Sequence, residues 1–336
     1  MAGAADNPHD PGVEAAATVA AQLPAGVAAE PIAVSGGGEV RVGTASWTDP
    51  TMTAPGVFYP PGANTAEQRL RYYSSQFSVV EVDSTYYALP PRSTAERWIE
   101  RTPPGFVFDI KAHALMGGQP SEVGRLPKAV REALPAALAE KTRVYAKDLP
   151  PEIHAEVWRL FREGIKPLQD AGRLGAVLLQ FPRWVLPSSQ SRDEILEARR
   201  RLPGIEVAVE FRNGGWFNAK NAERTLRFLT DNSIPYVMVD GPQGLRSSIP
   251  PLSAVTSPAL AIVRFHGRRV ETWEMSGIPV VERFRYLYDD DQLADWLPRI
   301  RAAARQARQT HALLNNCFGN YGTTNARQLA ELLREG

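Results

Sequence analysis

The stretch Ile205–Phe217 reads I-E-V-A-V-E-F-R-N-G-G-W-F and has the period of a β-strand. Apolar residues at positions 207, 209 and 211 alternate with Glu210 and Arg212, so one face is apolar and the other carries two opposite charges. Because an unpaired buried charge is costly, these two side chains are expected either to pair with partners or to contact a ligand. A Gly-Gly turn follows, which puts both charges at the carboxyl end of the strand.

Seven further segments repeat this design, in which a short apolar strand ends in polar side chains. A helical pattern or a long loop follows each of them. The alternation predicts a TIM (β/α)8 barrel, an α/β fold in a single domain over residues 39–336, with its site where the carboxyl ends of the strands meet. A doubly wound open sheet is the second choice, and no G-x-G-x-x-G follows the first strand to favour it. The predicted strands are residues 40–45, 79–83, 106–111, 175–181, 207–211, 236–240, 261–266 and 311–315.

The composition is that of a globular chain: 336 residues that are 43% hydrophobic can bury a large core. The formal net charge of +1 gives no general attraction to nucleic acid or to a membrane surface. Cys317 is the one cysteine, which excludes an intrachain disulfide and a cysteine-based metal cluster. No apolar run approaches the roughly 20 residues that a membrane-spanning helix needs, and the cytoplasm is the expected location.

Residues 1–38 differ from the rest of the chain. They are rich in Ala, Pro and Gly and have neither helical nor strand periodicity. They also lack the basic start and continuous apolar core of a secretory signal. We therefore predict a disordered N-terminal tail over residues 1–38, with folded sequence beginning near Glu39.

Several motifs are specific when taken together: G-T-A-S-W at 43–47, F-Y-P at 58–60, E-V-D-S-T-Y-Y-A-L-P at 81–90, F-D-I-K at 108–111, L-Q-F-P at 179–182, V-E-F-R with a following W at 209–216, V-R-F-H-G-R at 263–268, Y-L-Y at 286–288 and N-N at 315–316. With them, the sequence from Val40 to its end resembles the YecE-like family (domain of unknown function 72). The resemblance implies a TIM barrel and no established activity. The family pattern after the third strand has a Thr-His pair, whereas His113 stands here without the threonine, so the resemblance assigns this histidine no role.

Charged and polar side chains collect at the predicted strand ends, where barrels normally have apolar layers. Glu210 and Glu81 are candidate general bases, and His266 is a candidate acid or base because the ordinary pKa of histidine is near neutral. Basic side chains can hold phosphate or carboxylate, and aromatic rings can stack on sugars or bases, although ordinary packing is the alternative for each ring. The candidate ligand-binding residues are Lys111, Arg212, Arg264, Asp83, Gln180, Asp240, Asn315, Trp47, Tyr87 and Trp216.

Metal binding is a separate question. A zinc cluster is not expected, because His266 is the one histidine well placed at a strand end. A single Mg²⁺ or Mn²⁺ on Glu81, Glu210 and Asp240 stays open, since these ions prefer carboxylate oxygens. The same acids and bases could instead pair with one another as a structural ion network that plugs the barrel.

The favoured interpretation is an enzyme, a hydrolase, lyase or isomerase, that uses acid/base chemistry on a small anionic or polyhydroxyl ligand, phosphorylated or sugar-like. The first alternative is a nucleic-acid-binding or DNA-repair-related barrel in which Arg212, Arg264 and Arg268 meet phosphate and the aromatic rings hold a displaced base. The second is a non-catalytic ligand-binding scaffold. The sequence indicates no membrane partner and leaves the oligomeric state open.

Overall fold

Eight parallel strands form the centre of the molecule in a computed structural model that describes residues 10–335. Each predicted strand is present within a few residues of its predicted bounds, so the TIM-barrel fold is confirmed. The strands are β1 (Glu39–Ala45), β2 (Val79–Val82), β3 (Val107–Lys111), β4 (Leu174–Gln180), β5 (Val207–Glu210), β6 (Val237–Asp240), β7 (Leu260–Phe265) and β8 (Gln309–Leu314).

The strands follow the order β5-β4-β3-β2-β1-β8-β7-β6, which brings the first and last strands of the list together. The barrel closes between β5 and β6 through a bridge that joins Val209 and Tyr236. The backbone N–H of Val209 donates to the carbonyl of Pro235 at 2.9 Å at the same place. This closing contact involves fewer residue pairs than the other strand pairings; β1 and β8, for example, pair through six residues each.

The helices pack around the barrel, although residues 241–259, all within the described part, form a long loop instead of a helix between β6 and β7. Prolines set several helix bounds, because proline cannot donate the intrahelical hydrogen bond. Pro135 stands between the short helices Lys128–Ala133 and Ala136–Ala139, and Pro298 lies in the first turn of the helix Leu297–Ala304. The helices are α1 (Pro11–Gln22), α2 (Ala66–Gln76), α3 (Arg92–Glu100), α4 (Lys128–Ala133), α5 (Ala136–Ala139), α6 (Pro151–Asp170), α7 (Ser189–Arg201), α8 (Ala222–Asp231), α9 (Val270–Trp273), α10 (Val280–Arg283), α11 (Asp290–Ala294), α12 (Leu297–Ala304) and α13 (Tyr321–Arg334).

The barrel interior is apolar through its middle, with one polar pair. Asp109 and His311 are both buried there and share a hydrogen bond of 2.8 Å between Oδ2 and Nδ1. Gly175 on β4 makes room for them, because a Cβ at this position would lie 2.4 Å from Oδ1 of Asp109 and 2.8 Å from Cε1 of His311. The surrounding apolar side chains are Val79, Val107, Ala176, Leu178, Ala208, Val237, Val239, Leu260, Ile262 and Leu313.

The N-terminal segment corrects one prediction. Residues 1–9 lie outside the described residues, but the predicted disorder is wrong for residues 10–38: helix α1 packs on α13, and Ile32–Ala33 pairs antiparallel with β1. Val13 and Ala16 are buried against Phe318 and Tyr321. Only two apolar side chains of α1 are fully buried, so the sequence gives little periodicity from which to predict the contact.

Residues 112–150 form an insertion between β3 and α6 that lies beside the barrel mouth. It contains a two-stranded antiparallel ribbon, Ser121–Glu122 with Arg143–Val144, and the short helices α4 and α5. Within residues 10–335, the helices are too short or too polar for any of them to cross a bilayer.

Candidate functional site

Strand parity decides which polar side chains reach the barrel mouth. Side chains two residues apart on a strand share a face, so Glu81 follows interior Val79, Glu210 follows interior Ala208, and Arg264 follows interior Ile262. Lys111 and Gln180 stand on the same interior faces of β3 and β4. These five predicted site residues are therefore brought together at the carboxyl ends of five strands, where the βα loops converge.

Arg264 lies at the centre of the site and joins its two glutamates. Its Nη2 donates to Oε1 of Glu81 at 2.7 Å, and its Nη1 donates to Oε2 of Glu210. All three side chains are at most 1% exposed. Two carboxylates and one guanidinium thus share a water-excluded space, in which electrostatic interactions are strong.

Glu210 is held as a carboxylate by its neighbours. Its second oxygen accepts from Nε2 of Gln180 at 2.8 Å and from Nε of Arg212. Burial alone would raise the pKa of Glu210, but the charges of Arg212 and Arg264 outweigh burial and hold that pKa well below its usual value. Glu210 therefore stays ionised at neutral pH.

The pKa of Glu81 is shifted in the opposite direction to that of Glu210. Burial raises the pKa of Glu81, and the nearby cations Arg264 and Lys111 only partly offset this effect. Its Oε2 is buried and has no hydrogen-bond partner among the described residues. The two carboxyl groups on one guanidinium are thus displaced in opposite directions, the arrangement in which one group can carry a proton while the other stays charged.

His266 is neutral, which corrects the expectation of a near-neutral pKa. The ring is fully buried, and burial together with Arg212 lowers the pKa of His266 to about 3. Its Nε2 lies 3.2 Å from Oε1 of Glu210, and its Nδ1 lies 2.8 Å from Nδ2 of Asn315. These two contacts are satisfied when Nε2–H donates to Glu210 and Nδ1 accepts from Asn315, whereas Nη2 of Arg212, 3.2 Å from Nε2, then has no acceptor in the ring. With its pKa lowered this far, we expect the ring to be neutral at pH 7 and to position its neighbours.

Lys111 and Asp83 form a more open part of the mouth, where both side chains are half-buried. Glu81 pairs with Arg264 rather than with Lys111, whose ammonium forms no ion pair with residues 10–335. It lies 4.9 Å from the centroid of the Tyr86 ring. Burial and the charge of Arg264 lower the pKa of Lys111. A cation in this position is available to an anionic ligand group.

Asp240 does not belong to the site. Val237 and Val239 face the interior, so Asp240 faces the surrounding helices. There it accepts hydrogen bonds from Arg268, from Oη of Tyr288 at 2.7 Å and from Nε1 of Trp296 at 2.7 Å. This carboxylate is structural.

The hypothesis of a Mg²⁺ or Mn²⁺ on Glu81, Glu210 and Asp240 is therefore wrong. Asp240 faces away from the other two carboxylates, and Arg264 occupies the space between those two. Within residues 10–335, no group of three or more His, Cys, Asp or Glu side chains is arranged to hold a metal ion.

Two of the predicted aromatic contacts also lie elsewhere. Trp47 is buried with its ring edge on Trp98, at a centroid distance of 5.8 Å. Trp216 is fully buried, stacks on Phe211 at 4.2 Å and donates its Nε1–H to the carbonyl of Val185. Both rings are core residues, so for each of them the alternative of ordinary packing is the one that the structure shows. Tyr87 is 46% exposed and does lie on the rim.

The sequence prediction missed two rings that cover the mouth. Trp273 lies under the guanidinium of Arg212, 5.1 Å from its carbon, and Phe284 lies 6.1 Å from the ring of His266. Both come from the segment after β7, whose residues follow no strand or helix period that would have placed them.

A third residue that sequence reasoning missed is Ser46, which lies in the G-T-A-S-W motif at 43–47. It has φ +77°, a left-handed conformation that is rare for a residue other than glycine. Its N–H donates to the carbonyl of Glu81 at 2.8 Å. This strained residue ties the end of β1 to the residue that has the free carboxyl oxygen.

Fold and site together define a (β/α)8-barrel protein with a charged, partly open mouth at the carboxyl ends of its strands. The chain belongs to the family described as "Protein of unknown function DUF72", whose profile matches residues 41–336.

Relatives of known structure or curated sequence agree with this placement. The UPF0759 protein YunF of Bacillus subtilis is 28% identical over 297 residues, which cover 88% of this chain and 94% of that protein. The crystal structure of a DUF72 family protein from Thermotoga maritima is 28% identical, with a TM-score of 0.68, and covers 88% of this chain and 98% of that one. A DUF72 family protein from Enterococcus faecalis has a TM-score of 0.66 and 23% identity, and covers 88% of this chain and 97% of that one.

Proposed function

We propose that this barrel is an enzyme that transfers a proton at its mouth, with Glu81 as the general acid or base. The substrate is a small molecule with an anionic or polyhydroxyl group, phosphorylated or sugar-like. Such chemistry would place the protein among the hydrolases, lyases or isomerases. General acid–base catalysis typically contributes about 10²- to 10⁴-fold to a rate, which is the size of effect that Glu81 would have to supply.

One observation carries the proposal: Glu81 and Glu210 share Arg264, and their pKa values are shifted in opposite directions. A simple ion plug needs no such difference, because its carboxylates would all be charged and paired. Oε2 of Glu81 has no hydrogen-bond partner among the described residues. We assign the transferred proton to this oxygen.

The half-buried cations of the mouth would bind the substrate. Lys111 has an ammonium without an ion pair to residues 10–335, and Arg212 has a planar guanidinium stacked on Trp273. Arginine suits a bidentate contact with phosphate or carboxylate, and lysine acts as a point charge.

Three further residues have positioning roles in this scheme. Gln180 and His266 both contact Glu210, and Asn315 holds the ring of His266. Glu210 in turn fixes Arg264 and Arg212. Because Glu210 stays ionised, its role is to set the charge and orientation of the two guanidinium groups.

The nucleic-acid alternative has less support from these contacts. Arg264 is 1% exposed, and Arg268 donates hydrogen bonds to Asp240 from two of its nitrogens. Both guanidinium groups are therefore already engaged and are poorly placed to contact a phosphate backbone. Arg212 and Arg268 are both half-buried, but Arg268 is paired with Asp240 outside the site, whereas Arg212 lies beside Glu210 at the mouth. The scaffold alternative would be favoured if ligand binds but no product forms.

A thermal-shift screen followed by turnover assays tests the proposal. The wild-type protein would be screened against sugar phosphates, neutral sugars, nucleotides and a short DNA duplex, since a ligand that binds the folded state raises the melting temperature. We expect a small-molecule hit that is lost in Lys111→Ala and in Arg212→Ala and kept in Lys220→Ala, an exposed lysine elsewhere.

Turnover then separates catalysis from binding. Glu81→Gln should bind the hit but lose turnover by about 10²-fold or more. Full turnover in Glu81→Gln would refute the role of this residue. A shift with DNA alone, abolished by added salt, would favour the nucleic-acid alternative.

A further inference from the structure

A cavity lies outside the barrel mouth, between the 112–150 insertion and helix α7. It encloses roughly 1020 Å³, a size that suits a ligand larger than a single small metabolite. We call it the α7 groove. Its lining includes the aromatic and polar side chains Tyr145, His154, Trp158, Trp184, Asp193 and Glu194.

Two aromatic rings stand exposed at the α7 groove. Trp184, in the loop after β4, is 55% exposed, and Tyr145, at the end of the insertion ribbon, is 39% exposed. Single exposed apolar side chains are common, but two exposed aromatic rings beside one cavity form the kind of patch that marks a ligand-binding groove. A third ring, Trp158, is buried at the cavity wall, where its Nε1–H donates to Nε2 of His154.

The polar groups of the groove are suited to hydroxyl groups. Asp193 and Glu194 offer carboxylate oxygens from the first half of α7, and Glu194 is engaged only by the amide of Gln190 among the described residues. His154 accepts from Trp158 at Nε2, so its neutral ring has its proton on Nδ1 and can donate there. Burial and the charge of Arg201 lower the pKa of His154, which keeps the ring neutral at pH 7.

The charge of the lining decides between ligand classes. Its carboxylates outnumber its basic groups by one, and Arg200 is already paired with Glu197 at 2.7 Å. Phosphate groups would be repelled by Asp193 and Glu194, and a polycation would be repelled by Lys147. Flat aromatic rings combined with both donors and acceptors, and with little net charge, suit a neutral ligand that has apolar faces and many hydroxyls.

From this combination we infer that the α7 groove binds a neutral oligosaccharide, with the sugar rings stacked on Trp184 and Tyr145. The inference goes beyond the proposed chemistry at the mouth and does not depend on it. The groove adjoins the mouth through one wall: Leu115 and Met116 follow β3, and Trp184 follows β4, whose last residue Gln180 contacts Glu210.

The test is ligand-observed NMR and isothermal titration calorimetry on the full chain with cellohexaose, maltohexaose and chitohexaose as probes. We expect saturable binding of at least one probe, weakened about tenfold or more in Trp184→Ala and in Tyr145→Ala, because stacking on an aromatic face contributes binding energy of that order. Leu186→Ala is the matched control, since Leu186 is 56% exposed nearby but does not line the groove.

The substitution Glu81→Gln separates the two sites. Binding in the α7 groove should be unchanged in Glu81→Gln, even if that variant loses every activity of the mouth. The inference is overturned if none of the three probes binds, if binding survives unchanged in both ring variants, or if spermine binds in their place. Because both substituted rings are exposed, the variants should keep the wild-type melting temperature, which shows that lost binding is not lost folding.

Discussion

Arg264 sets the chemistry of the mouth, because one guanidinium serves two buried carboxylates that respond to it differently. Glu210 gains from two arginines and a histidine, whereas Glu81 has Arg264 and the more distant Lys111. Desolvation is similar for both groups, so the number and closeness of the cations decide which carboxyl holds a proton.

This difference leads to a prediction for stability. Glu210→Gln leaves the charges of Arg212 and Arg264 buried without their main partner and should lower the free energy of unfolding by about 3–5 kcal/mol. Glu81→Gln should cost much less, because the native state already disfavours the charged form of Glu81. Urea unfolding at pH 7 measures both, and equal losses in the two variants would contradict the account.

His266 gives a prediction for pH. Its pKa falls from 6.5 to about 3 on folding, so between these values the unfolded ring binds a proton that the native ring does not. Stability should therefore fall as the pH drops below 6.5, by up to about 1.4 kcal/mol per pH unit from this group. NMR of the ring carbons should find no titration of His266 above pH 5. A midpoint near 6.5 would restore it as an acid or base.

Sequence alone could predict the members of the site better than their roles. Alternation on β2, β5 and β7 predicts polar side chains at the strand ends, and the structure brings Glu81, Glu210 and Arg264 together there. The prediction for Asp240 is wrong because successive residues of a strand face opposite sides, and in β6 the interior positions belong to Val237 and Val239. The sequence does not show which side these two valines face. The pKa of His266 depends on full burial beside Arg212, and no spacing in the sequence encodes that.

At the scale of elements, helix α1 fastens the N-terminal segment to the loop that covers the mouth. Asp10 caps α1 by accepting from the N–H of Gly12, and its other oxygen pairs with Arg285. Arg285 lies next to Phe284, which packs near His266. Thr324 on α13 donates to the carbonyl of Ala16, so α1 is held along its length.

Removal of residues 1–31 tests this contact. The deletion exposes the apolar cluster around Phe318 and should lower the free energy of unfolding by about 2–4 kcal/mol, in line with the burial of Val13 and its neighbours. Hydrogen exchange in residues 269–288 should become faster. Deletion of residues 1–9 alone keeps Asp10 and is the control; unchanged stability after the longer deletion would mean that the segment is a dispensable tail.

Predicting elements from the sequence succeeded for strands and failed for weakly amphipathic helices. Each barrel strand is a short apolar run that ends in polar residues, while α1 is rich in alanine and buries only Val13 and Ala16. Its stability in the fold comes from α13, more than 300 residues away in sequence, and no local pattern contains that partner.

At the scale of the whole molecule, the barrel has a seam. β5 and β6 meet at one bridge, whereas β8 is paired on both sides, with β1 and with β7. We expect local opening to begin at the seam, so amides of β6 should exchange faster than those of β8 in native-state hydrogen exchange read by mass spectrometry. Equal protection of both strands would indicate that the barrel opens only by global unfolding.

The opposite pKa shifts of Glu81 and Glu210 can be measured without knowing a substrate. The experiment is a carbon-13 NMR titration of protein labelled at the glutamate Cδ, with Glu81→Gln and Glu210→Gln to assign the two signals. We expect the Glu81 signal to titrate above the ordinary value of 4.5 and the Glu210 signal to remain that of a carboxylate well below it. If both signals titrate together at or below 4.5, the mouth is a fully charged ion network and Glu81 has no proton to transfer.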